Sequence, residues 1–156
     1  MIAIRKAGER DIRTLSKIFL HFLEDKNCEF YQENVAKFGI PDEYMKKTLD
    51  EETLLKAMSS GRATLYVALE NDAIVGFAQV IRQDDQVTEL NRIVVFPLHE
   101  RKGIGTRLLH RAIVDERKRG VSIMIVNAGK DETHARRFYE KNGFKLTKET
   151  TIDSPW

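Results

Sequence analysis

Residues 89–107 read ELNRIVVFPLHERKGIGTR, and their parsing decides the fold. Val87 to Phe96 is an apolar, β-branched run stopped by Pro97, which has no N–H to offer a central ladder, so the run is a strand. Gly103 and Gly105 follow and open a helical stretch, Gly105 to Arg119. Its spacing puts Ile104, Leu108, Leu109, Ala112 and Ile113 on one face and Arg107, His110, Arg111, Arg117 and Lys118 on the other. Gly120 is a helix stop, and Val121 to Val126 reads as a buried strand. Strand, helix and strand in that order make the two strands parallel neighbours.

Working outward, Ile2 and Ile4 alternate in a short first strand, and Ile12, Leu15, Ile18, Phe19, Phe22 and Leu23 recur at helical spacing until about Asn27. Residues 28–50 carry aromatics, Gly39 and Pro41 without a clear period, and read as a loop with room for a short helix. Glu51 to Ser60 is a brief helix ended by Gly61. Ala63–Leu69 and Ala73–Arg82 are strands joined through Glu70-Asn-Asp, a hairpin signal. Residues 131–142 form a last helix closed by Asn142-Gly143, and Phe144 to Thr151 are expected as a final strand. The sum is one α+β domain over residues 1–156. Its sheet is mixed and mostly antiparallel, with one parallel βαβ unit and helices on both faces.

Composition excludes several classes. The chain has 156 residues, 42% hydrophobic and 32% charged, and no apolar run long enough to cross a bilayer. The first residues do not read as a secretory signal, and the single cysteine, Cys28, forms neither an internal disulfide nor a cysteine zinc site. A cytoplasmic protein is expected, with no membrane partner and no metal. A net charge of +2, from 26 basic and 24 acidic residues, argues against a dedicated nucleic-acid binder despite the basic face of the helix after Gly105.

The glycines pose a phosphate question. A dinucleotide fingerprint requires a small residue where Leu108 stands, and a P-loop requires Lys-Ser/Thr where Thr106-Arg107 stands. What remains is a general anion cradle of backbone amides at a helix N-terminus, or simply a strand-to-helix turn.

The run EL-x-RI-x-V-x-P-x-x-x-x-x-G-I-G, followed by an amphipathic helix, a strand and A-x-x-FYEKNGF, resembles the GNAT superfamily of acetyl-CoA-dependent N-acetyltransferases. The resemblance covers residues 1–150 in order of elements, with specific motifs at 89–106 and 135–144. It implies direct acetyl transfer from acetyl-CoA to a primary amine, a small amine, amino acid or polyamine; a protein N-terminus or lysine as acceptor and a non-catalytic acyl-CoA sensor stay open. It maps the pyrophosphate loop onto Glu100-Arg101-Lys102-Gly103-Ile104-Gly105. Glu100 departs from the family's Gln or Arg, so it is expected to face solvent while Arg101, Lys102 and the amides of Gly103, Gly105 and Thr106 make the contacts.

The same resemblance implies a main-chain donor for the acyl carbonyl near Ile93, with Val94 and Val95 lining the pantetheine arm where the strand after the helix splays away. Tyr139 corresponds to the tyrosine that protonates the departing thiolate, and Glu89 to a glutamate that some members use as base. Glu132 stands where relatives carry an asparagine, and Asn127 is the substitute. His99, His134 and Cys28 have no supporting pattern. Segment 24–62 corresponds to the acceptor wall, where Glu24, Asp25, Glu29 and Glu33 interleaved with Phe30 and Tyr31 would suit a cationic amine, or form a solvated loop whose aromatics anchor in the core. Relatives also close the sheet with a further strand after the last one here, so a homodimer covering that edge and the exposed Trp156 is a further expectation.

Overall fold

A computed structural model describes residues 1–148. Strand β1 (Ile2–Lys6) leads into helix α1 (Glu9–Glu24). Then come α2 (Glu29–Asn34), a 3-10 turn (Ala36–Phe38), α3 (Asp42–Thr48) and α4 (Glu51–Ser59). Strands β2 (Ala63–Glu70), β3 (Ala73–Arg82) and β4 (Val87–Val95) follow, and then α5 (Ile104–Lys118), β5 (Ile123–Ile125) and α6 (Thr133–Lys141). The sheet order is β1-β2-β3-β4-β5; the first three pairings are antiparallel and β4–β5 is parallel. This is the mixed sheet with one βαβ unit read from the sequence. No helix among the described residues is long and apolar enough to cross a membrane.

Alternation in the strands divides the core in two. Leu65, Val67, Phe77 and Phe96 face α1 and α4, meeting Ile12, Leu15, Phe19 and Leu54. Tyr66, Ala68, Val75, Ala78, Val80 and Leu90 face the other way, meeting Ile104, Leu108, Leu109 and Ala112 of α5. Two-residue periodicity in the sheet thus supports a helix layer on each side. The β2–β3 turn places Asn71 at φ 51° and Asp72 at φ 66°, the paired left-handed conformation of a two-residue hairpin loop.

Several boundaries differ from the sequence reading, each for a local reason. Segment 28–50 is largely helical. Its helices are too short to display a period, and α2 buries only Phe30 and Tyr31. The α2 N-terminus is instead set by Cys28, whose Sγ accepts from the Tyr31 amide at 3.4 Å, and α4 by Asp50, which accepts from the Thr53 amide at 2.7 Å. Strand β5 spans three residues rather than six. The Val121 amide still closes the α5 C-terminus by donating to the Glu116 carbonyl, and beyond Ile125 the chain leaves β4. Residues 144–148 are not a strand; the rest of the expected final strand and Trp156 lie outside the described residues.

Candidate active site

The strand-to-helix connection of the βαβ unit is a cradle of donors. Arg101 at φ 65° and Gly103 at φ 73° reverse the backbone twice before α5 begins. As a result, among the described residues none of the amides from Arg101 to Thr106 donates to a protein acceptor; the first helical bond into the loop comes from Arg107 to the Gly103 carbonyl, at 3.1 Å. Six consecutive N–H groups at the positive end of a fifteen-residue helix are an arrangement that could hold an anion such as phosphate. Gly103 permits the left-handed turn, and Gly105 lies against the second motif: a Cβ there would make ordinary contact with the Phe138 ring at 3.4 Å and Val95 at 3.8 Å. The first motif is therefore packed directly against the second.

The second motif fixes Tyr139. Helix α6 ends in a paired cap: the Gly143 amide donates to the Glu140 carbonyl at 3.1 Å and the Phe144 amide to the Tyr139 carbonyl at 3.0 Å, with Gly143 at φ 95°. That cap folds Phe144 back on Tyr139, with ring centroids 5.7 Å apart, and Phe138 lies 5.6 Å away on the other side. Burial, helped by the charge of Glu132, holds the Tyr139 phenol above its usual pKa, so the side chain is a proton donor across neutral pH.

Strand β4 supplies the third component. It pairs with β5 only through Val87–Ile123, Thr88–Met124 and Glu89–Ile125, so from Leu90 to Val95 its β5-side edge has no strand partner. The divergence coincides with a bulge. Opposite β3, Gln79 matches Arg92 and Val80 matches Leu90, which leaves Asn91 as the extra residue. Ile93 and Val95 belong to the α5-side core with Tyr139 and Phe138, whereas Val94 belongs to the α1 side. Of the three residues expected beside the coenzyme arm, two share a face with Tyr139 and one does not.

Other expected residues are placed less centrally. Glu89 is half-buried at the last β4–β5 pair and accepts from Gln83 Nε2 at 2.9 Å. Glu100 is exposed, as its charge requires beside an anion cradle. Lys102 is drawn to Glu70 Oε2 at 3.4 Å, and Arg101 is exposed. Asn127 is exposed in the loop after β5, and Glu132 spends its carboxylate on the Gly129 amide. A groove of about 410 Å³ runs along the outer side of β5, lined by Arg117, Ile123, Ile125 and Phe144 among others, but no residue of the 100–106 loop lines it.

Of the two readings of segment 24–62, burial favours aromatic anchors in the core. Phe30 and Tyr31 are 4% and 8% exposed, with Phe30 stacked on Phe22 at 4.6 Å and Tyr31 donating to Asp42 at 2.6 Å. Glu24, Asp25, Glu29 and Glu33 all face solvent. The aromatics anchor the core while the acids lie outside it, so these six residues do not together form a box for a cationic amine.

Residues that the sequence reading passed over position the loop. Glu116 is 2% exposed and accepts from Thr88 Oγ1 at 3.1 Å, tying α5 to β4. Gly76 lets β3 approach β4, since a Cβ there would lie 2.9 Å from the Val94 carbonyl oxygen. A lone glycine inside an apolar strand was the available signal for that contact.

Known proteins share this arrangement. The acetyltransferase (GNAT) family profile matches residues 20–144. An N-acetyltransferase of Mycobacterium bovis is 25% identical over 103 residues, covering 66% of each chain, so this chain spans just under two thirds of that relative. Spermidine N(1)-acetyltransferase of Thermoplasma acidophilum is 26% identical over 145 residues, 93% of this chain and 89% of that one. The fold is that of the PaiA N-acetyltransferase from Thermoplasma acidophilum, crystallised with coenzyme A, at a TM-score of 0.77 and 21% identity over 96% of this chain and 93% of that one.

Proposed function

Because the chain belongs to the acetyltransferase (GNAT) family, we propose that it moves an acetyl group from acetyl-CoA directly to a primary amine. The observation that carries this reading is the run of six amides, Arg101 to Thr106, that meet no protein acceptor among the described residues, beside the edge of β4 that β5 leaves. Acetyl-CoA would supply the activated thioester. The amides of the loop would hold its pyrophosphate, and Ile93 and Val95 would flank its arm. Hydrogen-bond donors left free on the β4 edge, fixed before any ligand arrives, suit a carbonyl oxygen that gains charge in the transition state.

Proton traffic falls to two side chains. A primary amine near its ordinary pKa of ~10 is mostly protonated at neutral pH, so a proton must leave before attack. Glu89, half-buried beside the bulge, is the base in this reading, acting directly or through water. Tyr139, kept protonated by burial, supplies the proton that the departing sulfur takes up.

The test is thiol release from acetyl-CoA with a panel of amino acids, polyamines, aminoglycosides and peptides. Turnover is expected with some member, and Tyr139→Phe should lower kcat by about 10²-fold or more while acetyl-CoA still raises the melting temperature of the variant. A protein that acetyl-CoA does not stabilise, or that releases thiol with no amine, is not an acetyltransferase of this kind.

A further inference from the structure

The α1 side of β4 carries a cation that pairs with no carboxylate among the described residues. The bulge at Asn91 puts Thr88 and Leu90 on the α5 side, and leaves Glu89 and Arg92 together on the α1 side, where Val94 two residues on packs into the α1-side core. Arg92 is half-buried, and Gln79, directly opposite it on β3, is 5% exposed. Directly opposed residues of an antiparallel pair share a face, so both side chains leave the sheet on the α1 side.

Neither is used by the fold. Arg5, Arg13, Arg111 and Arg119 each pair with a carboxylate, but among the described residues Arg92 forms no ion pair and no side-chain hydrogen bond, and Gln79 no side-chain hydrogen bond. Burial holds the Arg92 guanidinium below its usual pKa, and Tyr44 on α3 is among its electrostatic neighbours. Gln79 is buried and Arg92 half-buried, so a ligand reaching them would meet a guanidinium and an amide already partly withdrawn from water. A planar anion suits such a pair, because the guanidinium fork grips it through two parallel N–H bonds.

We propose that Arg92, assisted by Gln79, holds a carboxylate of the acceptor, so that the substrate is an amino acid or another amine bearing a carboxylate, and not a polyamine. The proposal rests on the acetyl-transfer reading and sharpens it. Glu89 and Arg92 on one face give the two ends of such a molecule opposite partners, the base for the amine and the cation for the acid. The absence of a cation box at Phe30 and Tyr31 agrees with the same choice.

The experiment pairs amino acids with their carboxamides, adds spermidine and putrescine, and reads thiol release from acetyl-CoA with wild-type protein, Arg92→Gln and Arg92→Lys. Acids are expected to exceed amides by roughly ten- to a hundredfold in kcat/KM, mostly through KM, as suits a charge-assisted pair. That ratio should collapse in Arg92→Gln and survive in part in Arg92→Lys. Because the readout is a ratio within one protein, a loss of folded material cancels from it. Amides or polyamines acetylated as well as acids, or a ratio unchanged in Arg92→Gln, overturn the proposal and leave acetyl transfer standing. Thiol release with no amine at all overturns both.

Discussion

At the scale of single residues, charge placement makes the sharpest statements. Glu100 is an exposed anion at the mouth of six amide donors, so Glu100→Gln should tighten coenzyme binding, by up to about fivefold at low salt and less as salt screens it. Calorimetric titration at two ionic strengths checks both the sign and the salt dependence. Tyr139 gives a pH statement. Burial raises its pKa, so as pH rises its proton is lost only above the ordinary phenol value of ~10. Tyr139→Phe should therefore lower the amplitude of the kcat profile without changing its shape below about pH 9. A limb between pH 7 and 9 that disappears in the variant would assign that limb to Tyr139 and contradict the burial argument. Legibility at this scale was uneven. Gly103, Gly105 and Tyr139 sit in short motifs whose spacing carries their geometry, whereas Arg92 and Gln79 acquire meaning only from a cross-strand register. Phe30 and Tyr31 allowed two readings because composition cannot tell an aromatic in a wall from an aromatic in the core, and burial selects the second.

At the scale of elements, the β3–β4 contact is the one most exposed to substitution. A Cβ on Gly76 would stand 2.9 Å from a main-chain oxygen, and a strand, unlike a side-chain tip, does not yield by rotating. Gly76→Ala should cost about 1–3 kcal/mol, seen as a lower urea midpoint, and should weaken coenzyme binding as well, because the displaced residues are Val94 and Val95. A variant as stable as wild type would show that the two strands have slack there. Long elements were legible from period alone: α1, α5 and the three meander strands lie within a few residues of their expected bounds. The helices between Glu29 and Thr48 were not, since one or two turns expose no repeat, and the caps at Cys28 and Asp50 are single atoms. The shortness of β5 was equally invisible, because where two parallel strands part is a property of both.

At the scale of the whole molecule, the basic face of α5 is a fastening between that helix and the first strand, far apart in sequence. Arg107 donates to the Ile2 carbonyl at 2.7 Å and Arg111 to the Ile4 carbonyl at 3.1 Å, two carbonyls on the same side of edge strand β1. Arg111 also reaches Asp115 at 3.1 Å, and that carboxylate accepts from the fully buried Tyr66 hydroxyl at 3.0 Å. The cations that suggested nucleic acid in the sequence are thus partly spent inside the fold. Arg111→Ala leaves Asp115 and the Ile4 carbonyl short of a donor, and is expected to cost about 1–3 kcal/mol in urea unfolding and to release β1 first, with acetyl-CoA affinity of the folded fraction unchanged. Loss of coenzyme affinity in step with stability would instead tie the cradle to the edge strand.

The early parting of β4 from β5 also sets a clock. From Leu90 to Val95 the strand keeps its bonds to β3 on one side and has none from β5 on the other, so alternate amides of one strand differ in their access to water. In heavy water such a strand exchanges in two phases, residue by residue in alternation, with the slow phase governed by opening of the meander and the fast one by nothing more than solvent reaching a groove. A ligand lying in that groove would merge the two phases into one. Occupancy could then be read from the timing of a few deuterons, without any turnover of substrate.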